Sequence, residues 1–117
     1  MSTDRPRPPE SFLPLRPVEF HVLLSLASGP AHGYGMLQDA EARGGGERID
    51  VGTLYRALAR MVDQGSIAPA ANPSADDRRN NYRITPFGLR VARSEAARLA
   101  ALTRAARAGG LLPRVAT

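Results

Sequence analysis

The 117-residue chain contains no Cys, no Trp and no Lys. Without thiols it builds neither disulfides nor thiolate metal sites, and it has no thiol nucleophile. No apolar run approaches the ~20 residues that cross a bilayer; Val22-Leu23-Leu24 is far shorter. The N-terminus, rich in proline and charge, lacks the apolar stretch of a secretory signal. The chain therefore reads as soluble and cytoplasmic, with no membrane partner. Aromatics are scarce, three Phe and three Tyr, and 19 of the apolar residues are Ala. So thin a core in so small a chain leads us to expect a partner subunit. What is present in excess is Arg. All sixteen basic residues are Arg, against eleven acids, for a net charge of +5. That balance suits a polyanionic partner without identifying one. The absence of Lys fits GC-rich codon usage equally well.

Residues 1–14 carry Pro6, Pro8, Pro9 and Pro14 among charges, and read as a disordered tail. Arg5 and Arg7 make this tail either inert or a minor-groove arm. Pro17 then opens a helix of nearly unbroken apolar residues, Val18 to Ala27, which Gly29-Pro30 ends. A second helix is expected from about Gly33 to Arg43, before the Gly44-Gly45-Gly46 loop. Asp50 is a good N-cap for a third helix, in which Val51, Leu54, Leu58 and Met61 form the buried face. Gly65 closes it. A hairpin follows, Ser66 to Ala70 and Asn80 to Ile84, in which Pro69 demands an edge strand. Thr85-Pro86 caps and starts a final helix that runs to about Ala108. This order is mainly α with a small β-hairpin wing: a winged helix-turn-helix over residues 15–85, a dimerisation helix over 86–108 and a tail over 109–117.

A recognition helix needs short polar residues at its N-terminal end, where it meets base edges and phosphates. Gly52 lets the backbone approach, Thr53 offers a hydroxyl and Tyr55 a phenol. The helical period turns Thr53, Arg56 and Arg60 outward together, and Arg makes bidentate contacts with guanine or phosphate. The alternative is that both arginines are ordinary solvated positions. The wing carries Arg78, Arg79 and Arg83, suited to flanking phosphates, with Asp76 and Asp77 partly offsetting them. A solvated turn is the alternative there. Tyr82 is expected to pack beneath the wing.

Four segments together resemble the PadR family of transcriptional regulators: His32-Gly33-Tyr34-Gly35, Asp50-Val51-Gly52-Thr53-Leu54-Tyr55-Arg56-Ala57-Leu58, Gly65-Ser66-Ile67, and Arg79-Asn80-Asn81-Tyr82-Arg83-Ile84-Thr85-Pro86-Phe87-Gly88. The resemblance covers about residues 13–108. It implies a homodimeric winged-helix protein that binds double-stranded DNA at a pseudo-palindromic operator, usually as a repressor and often released by a small, frequently aromatic, effector. It also implies that Tyr34, Gly52, Thr53, Tyr55 and Arg56 approach DNA and that Arg79 is the wing contact. Asp50 departs from the family, which often has Ser there. A carboxylate repels phosphate, so Asp50 itself is not expected to touch DNA.

The final helix carries Leu89, Ala92, Ala96, Leu99, Thr103 and Ala106 at alternating spacings of three and four, a heptad stripe. Leu102 widens its apolar flank. The stripe is expected to pair two copies of the chain; folding back on its own domain is the alternative. Phe87 and Leu99 line an effector cavity at that interface or belong to the packed core. No Ser/His/Asp arrangement has supporting context, so no enzyme is expected. His21 and His32 read as a packed residue and a cap, with no metal and no cofactor. The rival function is a winged-helix module that binds a protein partner, which the low net charge of the recognition segment favours.

Overall fold

The computed structural model describes residues 7–44, 48–71 and 80–113. Four helices, α1 (Pro17–Ala27), α2 (Gly33–Arg43), α3 (Val51–Gln64) and α4 (Pro86–Ala108), surround a small antiparallel sheet of β1 (Ala31–His32), β2 (Ile67–Ala70) and β3 (Asn81–Ile84). This is the winged-helix arrangement expected from the element order, with one addition. The wing is a three-stranded sheet rather than a two-stranded hairpin, in the order β1-β3-β2. Ala31 and His32 pair with Tyr82 and Asn81, and Ile67 pairs with Ile84. Two residues are too few to show a strand period, so β1 left no mark in the sequence. Pro69 lies in β2, which is an edge strand as its missing N–H requires.

The core forms where α1 crosses α3. Val22, Leu23 and Leu26 from α1 meet Met36 from α2, Leu54, Ala57, Leu58 and Met61 from α3, Ile67 from β2 and Val91 from α4. Each large side chain so buried stabilises the fold by about 1.5–3 kcal/mol. Tyr82 packs against this cluster from the sheet. Caps fix the helix ends that matter for the site. The His32 ring accepts from the Gly35 amide at 3.1 Å and starts α2. Gly65 ends α3 at φ 83°, a left-handed conformation that glycine adopts without strain.

The segment expected to be a tail reaches less far than residue 14. Pro9–Phe12 form one turn of 3-10 helix, and the Phe12 ring meets Phe87 of α4 edge-on at 5.5 Å. Burying that aromatic pair outweighs the ordering of a short Pro-rich segment, whose φ freedom is already restricted. Leu15 is tied to α4 as well, its amide donating to Glu95 Oε2 at 3.1 Å. No helix among the described residues is long and apolar enough to cross a membrane.

Candidate nucleic-acid interface

The first turn of α3 is exposed, and its polar groups are bonded to one another. Asp50 caps the helix: Oδ1 accepts from the Thr53 amide at 2.7 Å and Oδ2 from the Thr53 hydroxyl at 3.0 Å. Arg56 Nη2 donates in turn to Thr53 Oγ1 at 3.3 Å. The Thr53 amide and then its hydroxyl, with the Arg56 charge adding to them, hold the Asp50 carboxyl below the usual range. Asp50 is therefore a carboxylate at neutral pH. Gly52 keeps the space above this turn open, since a side chain there would begin 3.1 Å from Arg56 Nη1.

Two tyrosines flank the turn. Tyr55 is 48% exposed, and its hydroxyl lies over Gly33, where a side chain would begin only 2.8 Å away. The glycine at the start of α2 thus lets α3 pack close. Tyr34, the next residue, is 61% exposed. Tyr34 and Asp50 line one cleft of about 580 Å3 between α2 and the approach to α3, together with Leu37, Gln38, Glu41, Arg48 and Ile49. Of the residues expected to approach DNA, Tyr34, Gly52, Tyr55 and Arg56 are exposed and Thr53 is half-buried.

Arg60 does not join them. Its Nε donates to Glu19 Oε2 of α1 at 3.0 Å, and both side chains are largely covered. The helical period put Arg60 on the outer face with Arg56, but one further turn brings it beside α1, where Glu19 claims it. Glu19 was the available signal, a lone acid in an otherwise apolar helix start. Its other oxygen accepts from the Arg16 amide at 3.0 Å, so it is fully used. Val51 is corrected in the opposite sense. Expected on the buried face, it is 57% exposed, because it precedes the point where α3 enters the core. It leaves an apolar side chain exposed in the first turn of α3.

In the wing, Arg83 of β3 is exposed opposite Ala68. Arg78 and Arg79, the other two wing candidates, lie outside the described residues.

The residues expected to pair two subunits are distributed along α4. Ala92 packs against the core, and Leu89, Leu99 and Ala106 are half-buried. Ala96, Leu102 and Thr103 are exposed, Leu102 at 55%. The Thr103 hydroxyl donates back to the Leu99 carbonyl at 2.9 Å, which hides its polarity within the helix. Inside the chain α4 is held by Val91, by the Phe12–Phe87 contact and by Glu95, which is only 2% exposed. Arg98 Nη2 donates to Glu95 Oε2 at 3.0 Å. That guanidinium, aided by the Leu15 amide, outweighs burial and holds the Glu95 carboxyl below its usual range.

The model of the PadR-like family of transcriptional regulators matches residues 22–94. A PadR family transcription regulator from Clostridium difficile R20291 has a similar structure, with a TM-score of 0.69 at 22% identity over 77% of this chain and 94% of that one. Bacillus subtilis PadR, solved in complex with operator DNA, superposes with a TM-score of 0.59 at 20% identity, covering 69% of this chain and 47% of that one. Among curated proteins, an uncharacterised 37.1 kDa transposon protein of Streptomyces fradiae is 34% identical over 82 residues. That match takes in 70% of this chain, which spans only about a quarter of the relative, 23% of its length.

Proposed function

The chain belongs to the PadR-like family of transcriptional regulators, and from that premise we propose that it is a cytoplasmic, homodimeric repressor binding a pseudo-palindromic operator in double-stranded DNA. The observation that carries the reading is the first turn of α3, where Asp50, Thr53 and Arg56 are linked by hydrogen bonds and Gly52, Tyr55 and Arg56 are exposed. A turn of that kind fits a major groove: small at the front, polar, with one Arg fork. Arg56 supplies the bidentate pair that guanine O6 and N7 accept, and Val51 the apolar surface that a thymine methyl meets. Tyr34 and Tyr55 reach the sugar–phosphate backbone on either side, and Arg83 with Arg78 and Arg79 the backbone beneath the wing. Arg60 has no part in this reading, since its charge is spent on Glu19.

Residues Leu89, Ala92, Ala96, Leu99, Leu102, Thr103 and Ala106 of α4 pair the subunits. Two-fold symmetry then sets half-sites about 34 Å apart, or a multiple of it. Release by a small aromatic effector completes the reading, and thermal-shift measurement against a library of such compounds tests that part.

Anisotropy titration against DNA upstream of the gene and against an unrelated duplex tests the whole. The expected result is at least about a thousandfold preference for one upstream site at physiological salt. Weak binding without preference would instead identify the chain as a winged-helix module for a protein partner.

A further inference from the structure

We propose that Asp50 and Thr53 are positioning residues that fix the Arg56 guanidinium for guanine recognition, and that the Thr53 hydroxyl donates its proton to no base. The proposal rests on the DNA-binding reading and assigns the division of labour within that surface.

The directions of the hydrogen bonds follow from chemistry alone. A guanidinium cannot accept, so the 3.3 Å contact is a donation from Arg56 Nη2 to Thr53 Oγ1. An ionised carboxylate cannot donate, so the single hydroxyl proton of Thr53 goes to Asp50 Oδ2 at 3.0 Å. The chain therefore runs one way, from Arg56 through Thr53 to Asp50. Thr53 has spent its only proton and one lone pair before DNA arrives. Asp50 already accepts one bond on each oxygen, from the Thr53 amide and hydroxyl respectively. Its charge is directed into the helix start rather than towards a phosphate.

Arg56 retains most of its capacity. One proton of Nη2 is engaged, which leaves Nε–H, the other Nη2 proton and both Nη1 protons. Those groups still form the two parallel donors that guanine requires. Gly52 is part of the device: with no side chain, it lets the guanidinium lie back over the turn, where a Cβ would crowd Nη1 at 3.1 Å. A long side chain normally loses rotamer freedom on binding, and holding it in place beforehand removes part of that cost. The gain falls on guanine-containing sites that use both donors, and so it appears as specificity.

The test uses the full chain with Thr53→Val, Thr53→Ser, Asp50→Asn, Arg56→Ala and the Thr53→Val/Arg56→Ala pair. Anisotropy is measured against the operator and an unrelated duplex. Thr53→Ser keeps the hydroxyl and is expected to bind as wild type. Thr53→Val is expected to lose about five- to tenfold on the operator and less than about twofold on the unrelated duplex. Asp50→Asn retains an acceptor for the Thr53 amide but sets a donor against the hydroxyl, so it follows Thr53→Val in losing preference for the operator. The double variant is expected to bind no more weakly than Arg56→Ala alone. Losses that add in the double variant overturn the proposal. So does an Asp50→Asn chain that binds both duplexes more tightly, which makes the carboxylate a simple repellent.

Side-chain 15N NMR of the DNA-free chain separates this proposal from the repressor reading. Slow guanidinium rotation of Arg56 in wild type and Thr53→Ser, and faster rotation in Thr53→Val, supports the positioning. Equal rotation in all three overturns it, whatever the DNA result. A wild-type chain with no preference among duplexes overturns the repressor reading and the base-reading role with it.

Discussion

The first turn of α3 and the second half of α4 are both exposed, yet their surfaces are completed in different ways. At the start of α3 the polar groups are bonded to one another, Arg56 to Thr53 to Asp50. Beyond Leu99, α4 has no buried residue and presents Leu102 to solvent. The charge is divided just as unequally. Residues 49–84 contain five Arg against four acids, whereas residues 85–117 contain six Arg against Glu95 alone. The excess positive charge of the chain thus lies on α4 and beyond, away from the first turn of α3. Net charge raises the rate and the non-specific strength of approach to DNA, while placement of a few donors decides sequence. One region is finished by its own hydrogen bonds; the other is unfinished, with Leu102 left uncovered.

The joint between the two regions gives the largest expected effect. Thr85 caps α4 and donates to the Gly65 carbonyl at 2.6 Å, directly after the end of α3. Gly88 lies so close that a Cβ would sit 1.9 Å from the Ser66 carbonyl oxygen. Gly88→Val is expected to destabilise the chain by about 3 kcal/mol or more, read as a fall in Tm. An unchanged Tm would mean that α4 does not dock on the α3–β2 turn.

Next in size is the unfinished half. Leu102→Asp should weaken self-association about a hundredfold, close to 3 kcal/mol, in sedimentation equilibrium. A wild-type chain that is monomeric at micromolar concentration would remove the contrast altogether.

Glu95 secures the first half of α4. Glu95→Gln places an amide NH2 among donors from Arg98 and Leu15, at an expected cost of about 2 kcal/mol at pH 7. Because the folded carboxyl titrates below its unfolded value, its contribution is complete above about pH 5. It is lost progressively as pH falls through the lowered value, so the Tm difference between wild type and Glu95→Gln should shrink as the solution is acidified below the ordinary carboxylate range. A constant Tm difference across that range would contradict the pairing with Arg98.

The smallest effect belongs to charge alone. Arg104→Ala should weaken operator and unrelated DNA equally, by less than about threefold, and leave sequence preference intact.

How much of this was legible in the sequence varies with the kind of interaction involved. Three of the four helices, α1, α3 and α4, announced themselves through Pro17, Asp50 with Gly65, and Thr85-Pro86, because caps and stops are local chemistry. Gly52, Thr53, Tyr55 and Arg56 were singled out because a recognition turn has a recognisable residue pattern and they fall within five consecutive residues of α3, and Tyr34 was added by the family resemblance. What escaped depends on contacts distant in the chain. Arg60 pairs with Glu19 across 41 residues, and Leu15 with Glu95 across 80. Phe12 orders its segment only because Phe87 is there to receive it. Periodicity gives the face of a helix but not the neighbour on that face, which is why Arg56 and Arg60 looked equivalent.

Selection of binding sites from randomised DNA by wild type and by Arg56→Ala tests the central claim most directly. Wild type is expected to select a two-fold symmetric site with a guanine in each half, the half-sites about 34 Å apart or a multiple of it. Arg56→Ala should keep the symmetry and spacing and lose the guanine preference, a discrimination worth about 1–3 kcal/mol per contact. Selection of the same sequence by both proteins would contradict the account, as would selection of no sequence by the wild type.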